Sequence, residues 1–380
     1  MKIAIVCYPT FGGSGVVATE LGMALSSRGH EIHFVTYRQP VRLEALNKRL
    51  FFHEVHVPEY DLFQYQPYEL ALSSRLVDVV KQHQIDLLHV HYAIPHAYAA
   101  YMAKKMLADQ GIHIPLVTTL HGTDITLVGK HPFYKTAVTF SIDHSDAVTA
   151  VSESLKRDTI SFFNPKREVE VIPNFIDISR YENKEEPCPR SMIVSGEERI
   201  LSHVSNFRPV KRIIDVLQIF KSVRQRVDAK LLMIGEGPEK SKAQQFVEDN
   251  DLDGHVIFLG KSNQIHQILC FTDIFLLPSE QESFGLAALE AMVHEVPVIS
   301  TDVGGLPEVN ISGVSGYLFS VGDTQAMAEK TIEVLQNDSL HQQLKKGAFE
   351  QAKAYNLPEV LDQYERLYTR ILLNTSYSIG

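Results

Sequence analysis

Lys2-Ile3-Ala4-Ile5-Val6-Cys7-Tyr8 decides the fold, because this short apolar run stops at a turn, Pro9-Thr10-Phe11-Gly12-Gly13-Ser14-Gly15. The run reads as a strand. Residues 16–28 beyond the glycines carry a helical pattern, Gly29 closes it, and residues 31–37 read as the next strand. Strand, glycine turn, helix and strand make the opening of a β-α-β unit.

The same alternation continues. Further strands read at residues 87–91, 116–120, 147–151 and 169–172, mostly preceded by amphipathic helices, which predicts a parallel, doubly wound sheet. Pro173-Asn174-Phe175-Ile176-Asp177 then leads into a polar, Pro-containing stretch at 182–190 with the chemistry of a linker. The pattern restarts with strands at 200–204, 230–235, 256–259, 274–277 and 298–300, and a helical tail covers 357–373. Two α/β domains of Rossmann-like type, facing a cleft, are the expectation.

A chain of 380 residues is long for one core, and 44% hydrophobic with 22% charged residues describes an ordinary globular composition. A net charge of −10 argues against a nucleic-acid partner. Three separated cysteines (Cys7, Cys188, Cys270) suggest neither a disulfide framework nor a zinc site, which favours a reducing cytoplasm. The start is too short and too soon interrupted for a signal peptide, and no run approaches the ~20 apolar residues of a spanning helix. No integral membrane association is expected, and homo-oligomerisation stays open.

Chemistry concentrates at strand ends. Glu282-Ser283-Phe284-Gly285-Leu286-Ala287-Ala288-Leu289-Glu290 places two carboxylates eight residues apart after the strand at 274–277. With Gly285 opening a helix, eight helical residues would separate them by ~12 Å. That exceeds the ~5–9.5 Å of a glycoside hydrolase pair. The two Glu suit opposite ends of a long ligand such as a nucleotide-sugar, with phosphate at the helix start. Glu near a helix start is also common for dipole reasons alone.

Gly13, Ser14 and Gly15 lie between a first strand and first helix, where backbone can approach an anion, although neither G-x-G-x-x-G nor a P-loop is present. Ser205-Asn206-Phe207-Arg208-Pro209-Val210-Lys211-Arg212 puts three cations after the first strand of the second domain, suiting a diphosphate clamp or a solvated turn. His121 follows the strand at 116–120, and His89 and His91 share one face of the strand before it. Core packing is the leading reading for His89. His53-Glu54-Val55-His56 is not HExxH, and Asp251-Leu252-Asp253 falls in a solvated turn. No metal or other cofactor is expected.

Taken together, Glu282-x7-Glu290, Pro297-Val298-Ile299-Ser300-Thr301-Asp302, Gly304-Gly305-Leu306-Pro307-Glu308 and Val171-Ile172-Pro173-Asn174 resemble the retaining glycosyltransferases of GT-B type, family 4. The resemblance covers almost the whole chain. It implies two Rossmann-like domains, 1–172 plus 358–380 for the acceptor and 173–357 for the nucleotide-sugar, with a C-terminal helix returning to the first. It implies that Glu290 binds the ribose hydroxyls and that Glu282, with the backbone of Ser283, Phe284, Gly285 and Leu286, holds sugar and diphosphate. Lys211 matches the phosphate-binding Lys and His121 a His at the reacting sugar, and Gly13, Ser14, Gly15 and Gly260 join the donor set, the glycine loop lying near both the diphosphate and the acceptor. Asn206 stands where many relatives carry an Arg, a charge that Arg208 would supply.

Finer similarity, in residues 8–17 and in His91-Tyr92-Ala93-Ile94-Pro95-His96-Ala97, lies with family members that use UDP-N-acetylglucosamine and L-malate in bacillithiol biosynthesis. Tyr92, Thr123 and Lys130, at or near strand ends, are the candidate acceptor ligands, and His121, Lys211 and Glu282 the candidate catalytic set. A cell-wall or exopolysaccharide acceptor, a UDP-N-acetylglucosamine epimerase and a silent sugar-nucleotide-binding protein remain the alternatives.

Overall fold

Each half of the chain builds a parallel sheet from short strands, buried at its centre and partly exposed at its edges, a pattern that needs helices on both faces. The computed structural model describes residues 1–10, 12–43, 47–59, 61, 63–182, 190, 196, 198–262 and 265–377. Most of the expected linker, Phe11 and Cys188 lie outside these residues. The chain divides into two compact units, Met1–Asn174 with Pro358–Gly380, and Phe175–Leu357.

The first unit has seven parallel strands: β1 (Lys2–Val6), β2 (Glu31–Thr36), β3 (Leu50–Glu54), β4 (Leu87–His91), β5 (Leu116–Leu120), β6 (Ala147–Ala150) and β7 (Val169–Val171). Their order is β3-β2-β1-β4-β5-β6-β7, so the winding reverses between β1 and β4. Ile3, Ile5 and Phe34 are wholly buried at its centre. The last helix, Leu357–Tyr377, buries Val360, Leu361, Tyr364, Leu367, Tyr368 and Ile371 at three- and four-residue spacing. Tyr368 Oη bonds His89 Nδ1 at 2.7 Å, and Glu365 bonds His30 Nε2 at 2.8 Å and Arg28 at 2.5 Å, which ties this helix into the first unit.

The second unit has six parallel strands: β8 (Arg199–Val204), β9 (Ala229–Ile234), β10 (Val256–Gly260), β11 (Ile274–Leu277), β12 (Val298–Thr301) and β13 (Gly316–Phe319). Their order is β10-β9-β8-β11-β12-β13, with the reversal between β8 and β11. A large apolar cluster including Phe207, Val216, Phe220, Leu231 and Ile274 fills one side of this sheet.

Two strands escape a reading of the sequence, β3 and β13, and each lies at a sheet edge. An edge strand has one neighbour and need not be a continuous apolar run. The first helix spans Gly13–Ser27, so the glycines form its first turn rather than a loop before it. Among the described residues no helix is long and apolar enough to cross a membrane. Cys7 is a buried free thiol.

Candidate active site

Open α/β sheets bind ligands beyond the carboxyl ends of their strands, at the point where the winding reverses. In the second unit that point lies between β8 and β11. His203, wholly buried on β8, reaches Leu276 O at 2.8 Å through Nδ1 and Ser205 Oγ at 2.8 Å through Nε2. Burial pushes its pKa down to about 4, so it is neutral, donates from Nδ1, and accepts the Ser205 hydroxyl proton at Nε2. Ser205 Oγ in turn accepts the Phe207 N–H at 3.2 Å and shapes the loop. Two glycines wall it in: a Cβ on Gly235 would lie 1.8 Å from Ser205 O, and one on Gly237 2.0 Å from Asn206 O.

From this loop Lys211 Nζ donates to Glu282 Oε2 at 2.5 Å, with the two side chains only 19% and 17% exposed. The contact joins the loop after β8 to the loop after β11, and the Glu280 N–H supports it by donating to Val210 O at 2.8 Å. The Glu282 loop is held from behind. Gly305 N–H donates to Glu282 O at 2.9 Å, and Gly304, at φ +57°, leaves no space for a Cβ, which would meet Glu282 O at 1.8 Å. Phe284 is buried edge-on against Tyr355, whose hydroxyl donates to Glu308 O at 2.6 Å.

The positive charges of the loop after β8 are not equivalent. Arg212 donates to Asp215 at 2.6 Å and Lys211 is paired with Glu282, while Arg208 is exposed without an ion pair among the described residues. Of the three cations, Lys211 and Arg212 each hold a carboxylate, and Arg208 alone stands without one among the described residues. Asn206 is exposed beside them, and Gly260 ends β10 with its O accepting the Gly235 N–H at 2.8 Å. The ~12 Å helical separation of Glu282 and Glu290 does not hold. The helix is only Leu286–Met292, and Gly285 at φ +107° turns the chain before it, so Glu282 sits on a loop and a half-buried Glu290 on the helix. A seven-residue helix with Gly at its start is a weak dipole source, and the loop geometry matters more.

In the first unit the reversal lies between β1 and β4, and Ser14 Oγ meets Tyr92 Oη across it at 2.6 Å. Gly15 is required there because a Cβ would stand 2.5 Å from both Tyr8 O and Thr10 O. Among the described residues no side chain caps the helix that starts at Gly13 and no acidic residue occupies its first turn; the Gly15 and Val16 N–H groups donate to Gly12 O at 3.0 and 3.3 Å, which leaves those of Gly13 and Ser14 to face an anion. Tyr92 adopts φ +87° with its N–H on Thr119 O at 2.8 Å. Asp124, buried, accepts from the N–H of Ala93 at 2.8 Å and of Gly122 at 3.1 Å. Desolvation lifts its pKa to about 6 against those bonds.

His121 Nε2 bonds His91 Nδ1 at 2.7 Å, so His121 Nδ1 remains without a partner among the described residues. Desolvation pushes His121 down to about 3, so the ring is neutral near pH 7. His91 Nε2 and His96 Nε2 are buried without a hydrogen-bond partner among the described residues. His89 belongs to the core, bonded to Thr119 Oγ1 and Tyr368 Oη.

The structure thus brings Gly13, Ser14, Gly15, Tyr92 and His121 to one end of the first sheet. It brings Asn206, Arg208, Lys211, Gly260, Glu282, Ser283, Phe284, Gly285, Leu286 and Glu290 to the corresponding end of the second. Thr123 is half-buried at the start of the turn Thr123–Leu127, close to Asp124 in sequence. Lys130 is not joined to that group, and its ammonium stands 3.8 Å over the Phe162 ring. Asp124, His96, Gly235 and Gly237 were not singled out from sequence. Asp124 carried only its place after His121-Gly122-Thr123, and the glycines only their place after a strand.

Comparison with known proteins places these loops in context. The family described as Glycosyltransferase Family 4 matches residues 11–180, and that described as Glycosyl transferases group 1 matches residues 189–351. The chain is 45% identical over 374 residues to the N-acetyl-alpha-D-glucosaminyl L-malate synthase of Bacillus anthracis, covering 98% of this chain and 97% of that one. It is 27% identical to an uncharacterized glycosyltransferase of Methanocaldococcus jannaschii, covering 98% and 99%. Among solved structures, Anabaena HepE in complex with UDP and glucose superposes with a TM-score of 0.82 at 19% identity, covering 97% and 99%. Sucrose-phosphate synthase of Thermosynechococcus elongatus gives 0.79 at 19%, covering 98% and 100%. Both establish the GT-B fold.

Proposed function

The chain belongs to the glycosyltransferases of family 4, and from that premise we propose that it moves N-acetylglucosamine from UDP-N-acetylglucosamine to the hydroxyl of L-malate, with retention at the anomeric carbon. The observation that carries this reading is the 45% identity to a relative named for that product, spanning 98% of the chain.

The second unit holds the donor. Arg208 and Lys211 meet the diphosphate, whose arrival competes with Glu282 for the Lys211 ammonium. Glu282, released from Lys211, accepts sugar hydroxyls with the backbone from Ser283 to Leu286, and Glu290 accepts those of the ribose. In the transfer the bond from the anomeric carbon to the phosphate oxygen breaks, and negative charge grows on the leaving diphosphate. Arg208 and Lys211 stabilise that charge, which is the main physical source of rate acceleration at such a site. The malate hydroxyl oxygen forms the new bond on the face the diphosphate leaves, and its proton passes to a phosphate oxygen.

The first unit handles the acceptor. Tyr92, held by Ser14, and Thr123 supply hydroxyls, and the start of the helix at Gly13 and Ser14 supplies N–H donors for an anionic group. A neutral His121 offers Nδ1 to a sugar hydroxyl rather than acting as an acid. With cations supplied by the chain, transfer proceeds without a divalent cation.

Incubating the protein with UDP-N-acetylglucosamine, a chelator and a panel of small hydroxy acids tests the proposal. UDP should appear only with malate, together with a glycosylated malate by mass. UDP release that ignores malate would overturn the acceptor, and no release with any acid would overturn the transfer.

A further inference from the structure

Three histidines far apart in sequence meet in the first unit, away from the loops described above. His33 lies on β2, His53 on β3, and His83 ends the helix Tyr68–His83. One ligand nitrogen from each lies within 4.8 Å of the others, with His33 and His53 buried and His83 half-buried. β2 stands three places from β5, ~14 Å at ~4.8 Å per strand, so the cluster is separate from His121.

The protons are arranged for a ligand. Glu31 Oε1 lies 3.0 Å from His33 Nε2, which fixes a proton there and turns the Nδ1 lone pair toward His53 Nε2, 2.8 Å away. A carboxylate behind an imidazole is the arrangement that orients metal-binding histidines. Burial lowers His33 below its ordinary range and His53 to about 4, which keeps both neutral, as ligation requires. Phe51 also stacks on His33 at 4.7 Å. Aromatic packing alone needs ring faces, whereas here a nitrogen from each of three elements converges.

We propose that His33, His53 and His83 bind one divalent transition cation, zinc in the first instance, with Glu31 orienting His33 and water in a fourth position. Three neutral imidazoles suit Zn²⁺, and also Cu²⁺ and Ni²⁺. Zn–N bonds of ~2.0–2.1 Å require His33 and His53 to part to ~3.3 Å, a small ring rotation. Lys2, 3.4 Å from Glu31, and Arg75 near His53 set a limit on the affinity. The ion would fasten edge strand β3 and the end of the helix to β2, and would take no part in transfer.

The full-length protein, stripped with a chelator, is titrated with Zn²⁺ against a chromophoric competitor, and its thermal midpoint is read with and without the ion. One equivalent should bind and raise the midpoint, since an ion that binds the folded state stabilises it. Co²⁺ should give the visible spectrum of a four-coordinate nitrogen site. His53→Gln and His83→Gln should each weaken binding at least tenfold, and His83→Gln should leave transfer rates unchanged. No stoichiometric binding, or binding of unchanged affinity in both variants, overturns the proposal. Should His53→Gln not fold, His83→Gln, at a half-buried helix end, decides alone.

Discussion

Lys211 and Glu282 show how two side chains read separately from sequence acquire one role. Each alone suggests a phosphate or a sugar ligand, but at 2.5 Å they form a pair, which under the proposed function an incoming donor would open. Lys211→Ala should lower kcat/KM by ~10²–10³-fold, the loss expected for one donor to a developing oxyanion. Its stability loss should be ~1–3 kcal/mol, because the largely buried Glu282 carboxylate is left without its cation. Steady-state kinetics and a urea midpoint separate the two effects. At Lys130 the two readings diverge. An acceptor ligand predicts that Lys130→Ala raises the malate KM far more than the donor KM. The cation–π contact with Phe162 predicts only a small stability loss of ~0.5–1 kcal/mol. Equal changes in both KM values would remove Lys130 from the acceptor set.

The loop after β11 is set by what packs behind it. Gly304 carries no ligand in this reading, yet a Cβ there would collide with Glu282 O, and its φ of +57° disfavours any other residue. Gly304→Ala should therefore displace Glu282 and lower kcat at least tenfold, while circular dichroism still reports a folded chain. Unchanged kinetics would mean that the loop does not need this clamp. The terminal helix offers a parallel case in the first unit. Tyr368→Phe removes the hydroxyl from buried His89 Nδ1, and an orphaned buried acceptor costs ~1–3 kcal/mol. A lower urea midpoint with unchanged KM values is the expected result.

Across the whole molecule, buried neutral histidines give stability a pH dependence of definite sign. His89 and His121 are pushed down to about 3, and His96 and His203 to about 4, all chiefly by desolvation. Below pH ~6.5 the unfolded chain binds protons that the folded chain refuses. This stability is therefore complete above ~6.5 and is lost as pH falls toward 4, by up to ~1.4 kcal/mol per unit for each imidazole. Asp124, raised to about 6, acts oppositely, because its contribution is present at low pH and lost as pH rises through 6. Four imidazoles outweigh one carboxyl, so the urea midpoint should fall steadily from pH 7 to 5. A flat profile would contradict the burial of these rings.

Hydrophobic periodicity and glycine punctuation settle how many sheets the chain builds and which loops leave the strand ends, since these are local properties of each segment. The doubly wound architecture, the Glu282–Glu290 segment and the cationic loop after β8 were legible for that reason. Edge strands β3 and β13 were not, because one-sided pairing leaves a weak local signal. Tertiary structure alone decides which residues meet: Lys211 with Glu282, Ser14 with Tyr92, Arg212 with Asp215, and His33 with His53 and His83. Those encounters depend on strand order and on close backbone approach at glycines, and neither leaves a trace in the spacing of residues along the chain.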